Sequence, residues 1–144
     1  MTRGAVAEPG LVIPYVYLWR HQHEAGEDSG RKVRPCVVVI AVRRGATGVI
    51  RAVVAPITTQ SPSDDRSAVA LPPRVKLHLG LDTRPSWVIC DEYNEFDWPG
   101  VDSAVTPAGA SAFGYLPDAL LERIRAEMRG ARVRGALKGS LRSG

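Results

Sequence analysis

The sequence predicts a mainly β domain closed by one C-terminal helix, and three observations carry that reading. Several β-branched apolar segments recur between short turns rich in Gly and Pro. The one persuasive stretch of helical spacing lies near the C-terminus. At 144 residues the chain has the length of one domain, with a core large enough to stand without disulfides or metals. Short strands followed by one amphipathic helix imply a small barrel or strongly curled sheet with the helix as its cap.

In chain order, a Pro9-Gly10 break precedes Leu11 to Trp19, a first strand in which Pro14 implies a sheet edge or a bulge. The polar stretch Arg20 to Lys32 is expected as a surface loop. Pro35 to Val42 is a continuous apolar run, as expected of a strand covered on both faces. A Gly-containing turn at 43–48 leads into Val49 to Ile57, so these two strands form the expected centre of the sheet. Ala68 to Leu71 is a short strand ended by Pro72-Pro73, Lys76 to Gly80 a single turn or irregular segment, and Ser86 to Glu92 again β-like. Tyr93 to Ala112 reads as loop. The helix is expected from about Leu116, with Pro117 and Asp118 suited to its start and Leu120, Leu121, Ile124 and Met128 on one face, to Gly130.

Composition narrows the function. Hydrophobic residues make up 44% and charged residues 24%, with no apolar run of about 18 residues, so no membrane span is expected. Residues 1–9 lack an apolar stretch of the secretory kind, and a cytoplasmic location follows as the expectation. The net charge of +4 resides in residues 130–144, with Arg132, Arg134, Lys138 and Arg142 and no acid; the preceding 129 residues balance at 15 basic and 15 acidic. We therefore expect one folded domain over residues 1–129 and a basic, disordered, solubilising tail over 130–144. Cys36 and Cys90 stand in apolar runs without neighbouring ligands; buried thiols are the plain reading and a regulatory disulfide the alternative.

Phosphate loops, nucleophile elbows and paired helical histidines are absent from the sequence. Three constellations remain. Gly30-Arg31-Lys32-Val33-Arg34-Pro35 is a basic cluster running into the central strand, where a planar guanidinium suits phosphate; a surface ion pair is the alternative. Ile57-Thr58-Thr59-Gln60-Ser61 ends the next strand in hydrogen-bonding side chains fit for a nucleic-acid backbone, or for a turn. Cys90-Asp91-Glu92 places an acidic pair at the end of an apolar strand, where Asp91 near an arginine would act as a base or orient that arginine. His21 and His23 lie two apart in the polar loop; solvated histidines are the plain reading and a metal pair the remote one.

The order of these motifs resembles the MazF/PemK toxin family of toxin–antitoxin systems. The likeness includes Tyr15 to Trp19, Gly30 to Pro35, Leu79-Gly80-Leu81-Asp82, Asp91 to Phe96, Trp98-Pro99-Gly100 and Gly114-Tyr115-Leu116-Pro117. It implies an SH3-like barrel of the PemK/CcdB type, a homodimer, an antitoxin partner that covers the RNA groove, and cleavage of single-stranded RNA without metal or other cofactor. Attack by the ribose 2′-hydroxyl would leave a 2′,3′-cyclic phosphate and a 5′-hydroxyl.

Residue by residue, the resemblance makes Arg34 the stabiliser of the phosphorane, Thr58 a donor to the reacting phosphate and Asp91 the general base. His21, His23, Arg31, Lys32, Thr59, Gln60 and Ser61 would bind RNA. One departure is Ile89, where some members carry an arginine that acts as acid; His21 or His23 is the substitute, because an imidazole exchanges protons near neutrality. Two other classes stand beside the nuclease. One is a non-enzymatic binder on the same fold, either a degenerate RNA-binding module or a CcdB-like topoisomerase poison; the chain end Leu141-Arg142-Ser143-Gly144 lacks the tryptophan such poisons use. The other is a protein-interaction domain whose polar loops serve only an antitoxin.

Overall fold

The computed structural model describes residues 7–21, 32–98 and 104–142. Its strands are β1 (Leu11–Val16), β2 (Val33–Arg44), β3 (Val49–Thr58), β4 (Ala68–Ala70), β5 (Trp87–Ile89), β6 (Glu92–Asp97), β7 (Gly114–Tyr115) and β8 (Lys138–Leu141). Two helices complete it, α1 (Pro73–Leu79) and α2 (Asp118–Val133). The path through the sheet is β4-β5-β3-β2-β1-β7, and β6 joins β3 to β8. All pairings are antiparallel except β6 with β8. The fold is mostly β, a curled half-barrel with a C-terminal helix, as expected.

The hairpin of β2 and β3 is the spine, and its apolar continuity has the expected cause. Alternate residues point to opposite faces. Val37, Val39, Ala55 and Ile57 pack towards α2 with Leu121, Ile124 and Met128. Cys36, Val38, Ala52 and Val54 pack the other way against Ile13, Tyr15, Tyr17 and Phe96. The register shifts between Val38 and Ile40, a bulge of the kind that kinks and twists a strand. The Val39 carbonyl there accepts hydrogen bonds from Arg125 Nε (3.1 Å) and Nη2 (2.8 Å), tying the helix to the sheet. Pro14 is tolerated because it faces Pro35 on one side, while β7 pairs only with Leu11 and Val12 on the other.

Four expectations are corrected. Pro73–Leu79 is an α-helix rather than an irregular turn: Pro73 starts it, Gly80 ends it at φ 68°, and the Leu81 N–H bonds the Lys76 carbonyl at 2.9 Å. The loop expected from Tyr93 is, as far as Asp97, strand β6. Its buried side is Glu92, Asn94 and Phe96, so two of three inward residues are polar and the alternation is inverted. Helix α2 passes through Gly130 to Val133, since Ala131 is fully buried beyond it. The basic tail is ordered over 130–142: β8 pairs with β6, and Arg142 donates to Asn94 Oδ1 at 2.8 Å. Among the described residues no helix is long and apolar enough to cross a membrane.

Candidate active site

Strand pairing sets the site before any side chain is considered. Cys36 on β2 pairs with Pro56 on β3, and that register carried two residues further brings Arg34 level with Thr58. Period-two geometry puts both on the face that Cys36 shares with the aromatic core. Arg34 and Thr58 line a cavity of about 470 Å³ with Trp19, His21, Gln60, Ser61 and Arg66. They also line a cavity of about 300 Å³, together with Lys32 and Thr59. The two side chains thus form the wall that both cavities share.

Arg34 is half-buried, with its guanidinium 5.0 Å from the centre of the Trp19 ring. Among the described residues no carboxylate pairs with it. Burial pushes its pKa down from the ordinary arginine value, the direction of a better proton donor. Thr58 is buried, and its Oγ1 accepts the Gln60 N–H at 3.1 Å. A hydroxyl that already accepts from the backbone keeps its own proton free to donate to an anion.

Asp91 does not line either cavity. Its carboxylate accepts from Arg66 Nε (3.0 and 2.8 Å), from Arg66 Nη2 (2.6 Å) and from the Ser67 N–H (3.2 Å). Arg66 Nη2 also donates to Glu92 Oε2 at 2.9 Å. These bonds raise the Arg66 pKa, the hydrogen bonds to Asp91 most of all, so the guanidinium stays charged at the cavity wall. The acidic pair therefore faces the site through an arginine. Ile89 lines the same cavity as Arg66.

A buried polar clamp on β6 holds the other wall. Glu92 Oε1 accepts from Tyr17 Oη (3.1 Å) and from the Arg20 N–H (2.9 Å). Asn94 Oδ1 accepts the Leu18 N–H at 2.9 Å, and Asn94 Nδ2 donates to the Leu18 carbonyl at 2.8 Å. Residues 17–20, which follow the end of β1, are thereby fixed to the sheet. Trp19 on this segment and His21 just beyond it have ring centres 6.5 Å apart. Burial, with Glu92 beside it, raises the Tyr17 pKa and keeps its hydroxyl a donor.

Of the predicted residues, Arg34, Thr58, His21, Gln60 and Ser61 meet in one cavity, and Lys32 and Thr59 in its neighbour. Asp91 stands behind Arg66, and His23 and Arg31 lie outside the described residues. Arg66, Trp19 and the Glu92–Asn94 clamp are additions. Arg66 had no local signal, since its partner Asp91 is 25 positions away. Among the described residues no group of three His, Cys, Asp or Glu is gathered as a metal site. A further cavity of about 560 Å³, between α2 and the sheet, is lined by Ile40, Val53, Tyr93 and Met128 and contains none of the predicted residues.

Residues 16–129 match the model of a family described as PemK-like, MazF-like toxin of type II toxin-antitoxin system. No curated protein and no solved structure gives a significant match.

Proposed function

Since the chain belongs to the PemK-like, MazF-like toxin family of type II toxin–antitoxin systems, we propose that it is a metal-independent endoribonuclease that cuts single-stranded RNA. The observation that carries this reading is the wall of Arg34 and Thr58 shared by two cavities, a place where one phosphodiester has room for a nucleoside on either side. The 2′-hydroxyl attacks the adjacent phosphorus, the bond to the 5′-oxygen breaks, and the products are a 2′,3′-cyclic phosphate and a 5′-hydroxyl. Arg34 and Arg66 stabilise the charge that develops on the non-bridging oxygens, and Thr58 donates a hydrogen bond to one of them. Arg34 also hydrogen-bonds the leaving 5′-oxygen and gives it the proton that completes the 5′-hydroxyl, and the proton taken by His21 returns to the guanidinium through water. His21 takes the nucleophile's proton. Asp91 acts as a positioning residue that fixes Arg66, because its own oxygens are engaged. Lys32, Thr59, Gln60 and Ser61 hold the flanking RNA. Its partners in this reading are single-stranded RNA, a cognate antitoxin that covers the same surface, and a second copy of the chain.

The test is cleavage of single-stranded RNA in EDTA by the wild type and by Arg34→Ala, with both shown to fold by thermal unfolding. Loss of a preorganised donor is expected to slow cleavage about 10²- to 10³-fold. Equal rates for the two proteins would overturn the assignment. The engaged carboxylate of Asp91 favours one other reading, a module that binds RNA without cutting it. Intact RNA retained in a salt-sensitive gel shift is its signature.

A further inference from the structure

The smaller cavity has two unlike kinds of lining. One is apolar: Phe113, Leu81, Pro107 and Ile57 line it, and Phe113 is anchored by its N–H on the Val12 carbonyl at 2.8 Å. The other is an exposed ion pair, in which Arg84 Nε (3.0 Å) and Nη2 (2.7 Å) and the Arg84 N–H (2.8 Å) all donate to Asp82. Those bonds hold the Asp82 carboxyl down to about 2, so it is an acceptor at any working pH. A carboxylate has about four acceptor positions, and three are used here, so one on Oδ1 stays open. At about 300 Å³ the cavity stands at the lower end of the ~300–1,000 Å³ common for small-molecule sites. That is the scale of one base.

We infer that this second cavity takes the nucleobase adjoining the cleaved phosphate, with Phe113 against its face, and that Asp82 selects a base bearing an exocyclic amino group over uracil. The inference rests on the nuclease reading above. Aromatic rings receive unstacked RNA bases on their faces, while specificity comes from hydrogen bonds at the base edge. Adenine and cytosine present an amino donor to the open acceptor of Asp82 at the edge position where uracil presents a carbonyl, which meets the carboxylate lone pair to lone pair; guanine presents its amino group from its other edge. Arg34 and Thr58 at the mouth fix the phosphate, so the pocket is reached by the base on one side of it.

The experiment digests a random-sequence single-stranded RNA library in EDTA with the wild-type protein, Asp82→Ala and Phe113→Leu, and sequences the cut ends. The wild type should disfavour uracil at one position beside the cut. Asp82→Ala should raise the share of cuts with uracil at that position about tenfold relative to the other bases, the range of one lost base-edge contact. Phe113→Leu should lower cleavage with little change in preference. A wild type that cuts with a preference which Asp82→Ala leaves untouched overturns the pocket but not the nuclease. Cutting with no preference beside the scissile bond does the same. A wild type that cuts nothing overturns both.

Discussion

The chemistry proposed here depends on a hydroxyl and a guanidinium that strand pairing brings level with each other. Thr58 contributes its hydroxyl alone, so Thr58→Ser is expected to keep most activity and Thr58→Val to lose about 10- to 100-fold in kcat, the worth of a hydrogen bond to a charged group. Single-turnover cleavage rates check it. The two cysteines play no part in the chemistry. Burial pushes the Cys90 thiol up to about 12 and moves the buried Cys36 thiol up as well. A thiol raised in the folded state contributes no pH dependence below its unfolded value, ~8.5, and above it ionisation favours the unfolded chain. Stability should therefore be flat in this respect to about pH 8 and fall as the pH rises towards 12. At pH 8 neither thiol should react with an alkylating agent until denaturant is added, which mass spectrometry reads directly. At this scale the sequence was informative about Arg34 and Thr58, because both sit at the ends of strands whose pairing is plain. It was uninformative about Arg66, which reaches the site from a polar loop; for Asp91 it left open a base or a partner that orients an arginine, and the fold pairs the carboxylate with Arg66.

Among the elements, β6 carries the most structural information and announced itself least. A strand whose inward residues are Glu92 and Asn94 looks like a loop until their partners are known, and those partners are some 75 residues away. The β2–β3 hairpin shows the opposite case, since a long apolar run and a Gly-bearing turn are local signals. Helix α1 lay between the two, with Pro73 and Gly80 marking its ends but too few turns for a period. The clamp gives a sharp expectation: Asn94→Ala leaves the Leu18 N–H and carbonyl and the Arg142 guanidinium without their buried partner. A loss of about 2–4 kcal/mol in denaturant unfolding is expected. Rescued by low temperature, the variant should still cut RNA slowly, because Trp19 and His21 lose their support. Gly139 makes a second. A Cβ there would run into the Tyr93 ring across the β6–β8 pair, so Gly139→Ala should lower the melting temperature by several degrees.

As a whole molecule, the chain uses its basic C-terminal segment as structure rather than as a solvated tail. Composition suggested the tail, because four basic residues among glycines and serines lack the apolar content of a core. What composition misses is that β8 needs only backbone groups to pair with β6, and that Arg142 is buried beside Asn94 and over the Tyr15 ring at 5.6 Å. Removing residues 138–144 should therefore destabilise the fold and not merely reduce its charge, which denaturant titration of the shortened chain will show. The overall class, a curled sheet with a helix behind it, was legible because strand and helix periods are long-range averages. The position of the site within it follows from two strand ends meeting at one edge of the half-barrel. The most direct measurement of the central claim is mass spectrometry of the products from a single-stranded RNA incubated in EDTA, beside the same RNA with 2′-deoxy sugars. The account predicts 2′,3′-cyclic phosphate and 5′-hydroxyl ends from the ribose strand with wild-type protein, none with Arg34→Ala, and an uncut deoxy strand. Cleavage of the deoxy strand, or 5′-phosphate ends from either, would contradict it.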